Sequence, residues 1–273
     1  MIKLNVLAVI FMFSFGFQTT AQPPKAWETG ELATPESVLY DTENDVLYVS
    51  NINGKPTDKD NNGFISKLGI NGNLLKKKWV KGLHAPKGMV KAHDHLYVTD
   101  IDRIAKIDPV KGEIVNYYEV ETASFLNDME VIDGTIYISD MAENTIYRLK
   151  NEEIQVFKNN GLKKPNVMLT SAKWLINGND NYILKINTET HETHEIETTV
   201  GGIDGLKFYN SDTYITSDWT GNVHKVDSSG NATLLFTTAD DEVQAADFEY
   251  VRSKKLLIVP TFFNNTVAVY QLQ

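Results

Sequence analysis

The sequence has no cysteine among its 273 residues. That excludes disulfides, thiol nucleophiles, iron–sulfur clusters and cysteine-ligated zinc together. It is also short of positive charge, with 26 Lys and Arg against 36 Asp and Glu and a formal net charge of −10. Such a balance repels polyphosphate and offers no basic stripe, so neither DNA nor RNA is expected as a partner. The chain lacks G-x-x-x-x-G-K-[ST], G-x-S-x-G and H-E-x-x-H, which leaves phosphate-loop, serine-hydrolase and zincin chemistry without support. No helical apolar periodicity competes with the strand-like segments. What is present is ordinary globular material, 42% apolar and 10% aromatic, enough to bury a core and too apolar for disorder.

Residues 1–21 open with Lys3, run apolar from Asn5 to Phe17, and place the small residues Thr19 and Ala21 just before Gln22-Pro23-Pro24. The run is short for a membrane span and has the order of a secretory signal cleaved near Ala21. Secretion or a periplasmic location is therefore expected. No cysteine follows to carry a lipid, so no membrane anchor is expected once the signal is removed.

From residue 34 onward the chain repeats at a period near forty, the first thing to test in any sequence. Six equivalent starts can be written: PESVLY (35–40), PKGMVK (86–91), LNDMEV (126–131), PNVMLT (165–170), IDGLKF (203–208) and AADFEY (245–250). Each is followed by a second strand such as VLYVSN, HLYVTD or TIYISD, then by a third, and in units one to five by a fourth. Short segments rich in Val, Ile, Tyr and Thr, separated by Gly, Asn and Asp, predict an all-β chain. Four antiparallel strands per unit, six times over, predict a six-bladed β-propeller. A β-sandwich is the structural alternative, and it would not produce six equivalent starts. The last unit has residues for only three strands. The segment 22–33, around Lys25–Leu32, is expected to add the fourth and leave no open edge, with the propeller itself spanning 34–273.

In a propeller the first strands line the central channel, so equivalent positions converge at one face. Aligning the starts on Val38, Met89, Met129, Met168, Leu206 and Phe248 puts Glu36, Lys87, Asn127, Asn166, Asp204 and Ala246 on one ring, separated by 51, 40, 39, 38 and 42 residues. Asn and Asp at strand starts commonly cap turns. Four oxygen donors at one repeat position, two anionic and two neutral amides, instead suit a hard divalent cation.

These motifs resemble the regucalcin and gluconolactonase family over residues 34–273. That resemblance implies a six-bladed propeller with a divalent metal at its axis. It implies that Glu36 in PESVLYD, Asn166 in KPNVMLT and Asp204 in IDGLKFY are ligands. Asp204 would also be the general base, or the group that orients water. Asn127 in FLNDMEVID would contact the metal-bound water or the substrate. Calcium is the first expectation, with magnesium, manganese or zinc as alternatives. Sugar-lactonase members carry an arginine two residues before the third-blade asparagine, where this chain has Phe125. A lactone or ester less polar than an aldonolactone is therefore expected.

The function expected is a metal-dependent hydrolase of the lactonase type, in which the cation polarises a carbonyl and lowers the pKa of bound water while Asp204 handles the proton. Lys87 would hold a substrate anion, or else make a structural salt bridge on the ring. The competing expectation is a non-catalytic propeller binding a small molecule or protein at the same face, and a lyase or ring-closing synthase on the same kind of propeller would show the same sequence features. Glu130 and Glu249 are expected in the channel or as partners of Lys87 or Lys207. The Asn53–Gly63 insertion has the D-x-D-x-N-G spacing of a calcium loop at Asp58, Asp60 and Asn62, but Gly69 stands where the bidentate glutamate belongs. A solvated turn over the ring face is expected there. His191 and His194 are expected on an exposed edge, and His93 and His95 carry no evident partner.

Overall fold

A computed structural model describes residues 22–273, so the expected signal at 1–21 lies outside the described residues. Six four-stranded antiparallel sheets are present among them. Blade one runs Pro35–Asp41, Val46–Asn51, Gly63–Gly69 and Leu74–Leu83, and blade two Pro86–Ala92, His95–Asp100, Arg103–Asp108 and Glu113–Glu119. Blade three is built from Leu126–Ile132, Thr135–Asp140, Thr145–Lys150 and Glu153–Lys158, and blade four from Met168–Ser171, Trp174–Gly178, Tyr182–Asn187 and Thr193–Glu197. Blade five runs Ile203–Phe208, Thr213–Asp218, Asn222–Asp227 and Ala232–Thr237. Blade six takes Glu249–Val251, Leu256–Pro260 and Val267–Gln271 from the C-terminus and closes with Lys25–Thr29 from the N-terminus. The six-bladed propeller and its N-terminal closing strand are thus as expected.

Local chemistry explains the hairpins. Asp133 and Gly134, at φ 48° and 73°, form the two-residue link between paired Ile132 and Thr135, the Asp-Gly turn whose twist matches the flanking strands. His93 and Asp94, both at positive φ, make the equivalent turn in blade two. His93 Nε2 lies 2.8 Å from the carbonyl oxygen of Gly134, which ties the two turns together.

The core lies between blades rather than at the axis. Tyr48, Ile65 and Trp79 of blade one pack with Met89, Leu96 and Val98 of blade two in one buried cluster, and Tyr48 stacks on Trp79 at 4.8 Å. Close to the axis side chains must be small. A Cβ on Gly88 would come within 2.6 Å of Asp128 Cα and 2.8 Å of the Asn127 carbonyl oxygen, so blades two and three approach there as only glycine permits.

Two inner strands are shorter than the repeats predict. In blade four strand pairing begins at Met168, because Asn166 and Val167 cross to Gly178 through separate backbone hydrogen bonds of 3.0 and 2.9 Å. In blade six it begins at Glu249, because Asp247 donates its N–H at 3.1 Å to the carbonyl of Glu36 in blade one instead. That cross-blade bond helps to close the ring.

Candidate functional site

Four of the ring residues are set by a local irregularity. The register between first and second strands shifts between Pro35 and Val38, Pro86 and Met89, Leu126 and Met129, and Ile203 and Gly205. Glu36, Lys87, Asn127 and Asp204 fall inside these shifts, where a bulge turns a side chain out of the ladder's alternation. The polar residue near the end of the second strand holds the segment leading in. Asn51 accepts the Ala33 N–H at 2.9 Å, Asp100 those of His84 and Ala85 at 2.8 Å, and Asp140 that of Ser124 at 2.9 Å. Hydroxyls then bridge blades. Thr99 donates to the Asn127 carbonyl at 2.5 Å, Ser139 to that of Asn166 at 2.6 Å, and Ser217 to that of Ala246 at 3.1 Å.

The result is one cavity of about 550 Å³, with Glu36, Lys87, Asn127, Asn166 and Asp204 all on its wall. Five of the six ring positions therefore converge as the repeat alignment requires. The sixth, Ala246, is fully buried and supplies no polar group.

Asn166 Nδ2 donates to Asp204 Oδ1 at 2.7 Å. Glu36 is 7% exposed, and its Oε2 has no hydrogen-bond partner. Burial, and next the Asp204 charge, push the Glu36 carboxyl well above the usual carboxylate range, with Lys87 opposing. Burial raises Asp204 to about 7, and the Asn166 amide restrains the rise. Lys87 is 1% exposed. Its ammonium donates to the carbonyl oxygens of Pro56 and Ala85, both at 3.2 Å, and sits 4.4 Å from the centre of the Phe125 ring. Burial pulls its pKa down while the Glu36 charge holds it up. Among the described residues no ion pair within 4.0 Å involves Lys87, so the structural salt bridge weighed above is not formed. Carbonyls and an aromatic face hold the lysine instead.

A second tier of charge lies further along the inner strands. Burial opposes the Lys207 ammonium, but Glu249, Asp247, Glu130 and Asp128 outweigh it and hold the lysine above its ordinary range. Glu130 and Glu249 thus answer Lys207 rather than Lys87. Burial raises Asp128 to about 7 and Asp247 to about 8. Asp247 accepts from Ser37 at 2.6 Å through one oxygen, while the other is buried without a partner.

Sequence reasoning missed an outer ring. Ile52, Met141, Asn179, Trp219 and Phe262 also line the cavity. Four of them directly follow the last residue of a second strand, and Phe262 lies two beyond Pro260. The repeat alignment carried that signal one strand further on than the inner ring. The blade-one insertion reaches the cavity through Gly54, Lys55 and Pro56, as its position between second and third strands requires. Its D-x-D-x-N stretch is a solvated turn, with Asp60 Oδ1 accepting from the Asn62 N–H at 3.1 Å and Lys59 paired with Asp102. His191 and His194 are exposed. His194 lies 3.1 Å from Glu192, and His191 stacks on Phe157.

Among the described residues no three His, Asp or Glu side chains gather as cation ligands. The ring offers another donor set, two carboxylates with two neutral amides, and its orphaned buried Glu36 oxygen is what a missing cation would leave. The donors are all hard oxygens, so the chemistry of the set fits a hard divalent ion.

No protein-family model matches the sequence, and no curated protein does. The fold does match solved structures. Virginiamycin B lyase from Staphylococcus aureus is 16% identical over 90% of this chain and 88% of its own, with a TM-score of 0.62. The WD40 β-propeller domain of Doa1 is 12% identical over 87% of this chain and 78% of its own, with a TM-score of 0.65. The extracellular domain of a hybrid two-component system from B. thetaiotaomicron is 12% identical over 87% of this chain, with a TM-score of 0.60, and this chain spans only 34% of it. These likenesses show a propeller fold shared by a lyase, a WD40 domain and an extracellular domain. A fold so distributed does not choose a reaction.

Proposed function

We propose that the chain is an exported hydrolase of the lactonase type, dependent on one divalent cation and acting on a small lactone or ester. The observation that carries this reading is the convergence of Glu36, Asn127, Asn166 and Asp204 on one cavity beside the buried Lys87, with a Glu36 oxygen left unpartnered. Glu36, Asn166 and Asp204 would hold the cation, calcium first, with Asn127 beside them. When bound, it would supply Lewis acidity toward the substrate carbonyl and toward water.

The chain's own residues do the rest. Asp204, fixed by the Asn166 amide and raised to about 7 by burial while no cation is bound, is placed to take a proton from attacking water, and a bound cation would favour its ionised form. Lys87 spends two N–H groups on Pro56 and Ala85. An ammonium has three donors, so one remains for the oxygen that gains charge as water adds to the carbonyl. Water is split across the acyl C–O bond, giving an acid and an alcohol with no redox change. Phe125, against Lys87, replaces a charged partner for sugar hydroxyls with an apolar wall and supports a less polar substrate.

A panel of lactones and esters with calcium, magnesium, manganese and zinc tests this reading. Hydrolysis abolished by chelator and by Asp204→Asn is expected. Tight cation or ligand binding without turnover of any substrate would replace it with a non-catalytic binding propeller.

A further inference from the structure

The cavity has a second, apolar half that the cation-centred reading does not use. Trp219, Phe262 and Phe263 form a closed aromatic trio on its wall: Trp219 meets Phe262 and Phe263 edge-to-face, each at 5.6 Å, and the two phenylalanines meet edge-to-face at 4.9 Å. Phe262 is buried, whereas Trp219 is 42% and Phe263 60% exposed. Large aromatic side chains left open to water at the mouth of a cavity are what a ligand site presents.

Backbone conformation gives an independent sign. Phe262 has φ 47°, in a left-handed region that a bulky residue adopts only when its surroundings impose it, and such residues cluster at ligand clamps. Phe262 is seated in a small buried cluster with Ile52, Ala85, Ile101 and Ala246, while its ring and that of Phe263 meet Trp219 at the cavity wall.

The trio also adjoins the polar ring. Ile203 pairs with Asp218 in antiparallel register in blade five, so Asp204 and Trp219 flank that pair on opposite sides, and both open onto the same cavity. Trp219 is fixed there because Asp218 Oδ1 accepts the N–H groups of Thr220 at 3.0 Å and Asn222 at 3.1 Å.

We infer that Trp219 and Phe263, backed by Phe262, form a specificity subsite for an aryl substituent carried close to the ligand's carbonyl. Ring-on-ring contact suits an aromatic group, since offset and edge-to-face pairs gain beyond area alone, and the cavity's size limits the ligand to a small molecule. The subsite rests on the hydrolase reading for the carbonyl half of the ligand and on the trio for the aryl half.

The two halves separate experimentally. Matched probes differing only by a phenyl ring are γ-phenyl-γ-butyrolactone and γ-butyrolactone for turnover, and their hydroxy acids, 4-hydroxy-4-phenylbutyrate and 4-hydroxybutyrate, for binding by calorimetry. The phenyl acid is expected to bind wild type at least tenfold more tightly than the plain acid and to quench tryptophan fluorescence. Trp219→Ala and Phe263→Ala, checked for unchanged circular dichroism, are expected to cut that advantage to threefold or less and to lower the phenyl-to-plain kcat/KM ratio in parallel. Equal affinity of the two acids for wild type, or an advantage unchanged in both variants, overturns the subsite. Turnover of both lactones with the same ratio in wild type and variants removes the subsite and leaves the hydrolase. Phenyl-selective binding that depends on Trp219 and Phe263, with no turnover under any cation, leaves the subsite and removes the hydrolase.

Discussion

The hydroxyl of Ser139 in blade three donates to the backbone carbonyl of Asn166 in blade four at 2.6 Å, while its oxygen accepts the Asp128 N–H at 3.0 Å. One small side chain therefore fixes two neighbouring blades at the point where their inner strands present functional groups. Ser139→Ala would leave a buried carbonyl and a buried N–H without this partner, a loss of about 1–3 kcal/mol. Thermal melts should show it as a fall of about 2–4 °C per kcal/mol for a domain near this size. Because Asn166 positions Asp204, activity or ligand binding should fall further than in a control, Ser217→Ala, whose hydroxyl donates to Ala246, a residue with no polar side chain. Equal functional effects in the two variants would count against the positioning role.

The closing strand is a second point where sequence-distant residues meet. Lys25–Thr29 pairs with Val267–Tyr270, and the Trp27 indole N–H reaches back to the Ile70 carbonyl in blade one at 3.1 Å. Removing residues 22–29 should expose the edge of Val267–Gln271, whose residues through Tyr270 are buried. An open apolar edge invites pairing with other chains. Lower melting temperature and concentration-dependent aggregation by light scattering are expected. A truncated protein that melts like the full chain and stays monomeric would mean that the ring is closed without this strand.

The repeats carried the architecture because strand chemistry and turn chemistry recur with little interference from packing. The inner ring was legible for the same reason: equivalent positions in a closed ring must meet. The bulges that aim Glu36, Lys87, Asn127 and Asp204 were not, since a register shift of one strand against another has no signature in a single strand. Ser139 and Thr99 read as ordinary strand residues, and their role appears only when the next blade is in place. The trio of Trp219, Phe262 and Phe263 escaped because its members come from two blades and lie one to three residues past strand ends rather than starting strands. The Lys207 cluster was half visible: Glu130 and Glu249 share a repeat position, but which lysine they face depends on position along the inner strands.

The second tier predicts the pH dependence of stability. Burial and the charges of Asp128 and Glu249 hold Asp247 at about 8 in the folded protein despite Lys207 and the Ser37 hydroxyl, against about 4 unfolded. A carboxyl with a raised folded pKa binds more protons in the folded state, so stability falls as pH rises between those two values. The chelator-treated protein should therefore melt at progressively lower temperature from about pH 5 to about pH 8. Asp247→Asn should flatten part of that slope, with Asp128 and Asp204, each raised to about 7, and the raised Glu36 and Glu130 carboxyls supplying the rest. A melting temperature that climbs over this range would show that these carboxyls are already ionised, stabilised by Lys207 or by a bound cation.

Glu36 and Asp204 raise the same issue where the cation is proposed to sit. Glu36 is buried and Asp204 half-buried, and the Asp204 charge raises the Glu36 pKa, so without a cation the pair resists full ionisation. A cation binding only the folded state should stabilise it by mass action, by about 2.7 kcal/mol at a hundredfold excess over Kd. Asp204→Asn keeps the side-chain shape and one oxygen donor but cannot accept a proton, so its activity should fall much further than its stability. Glu36→Gln combined with Asp204→Asn removes both charges and should abolish the cation-induced shift in melting temperature while leaving the propeller folded. The double variant should also melt higher than wild type in chelator at about pH 8, because the like-charge repulsion is gone. Equal cation-induced shifts in wild type and double variant would place any cation elsewhere, and the exposed turn at Asp58–Asn62 would be the next position to substitute.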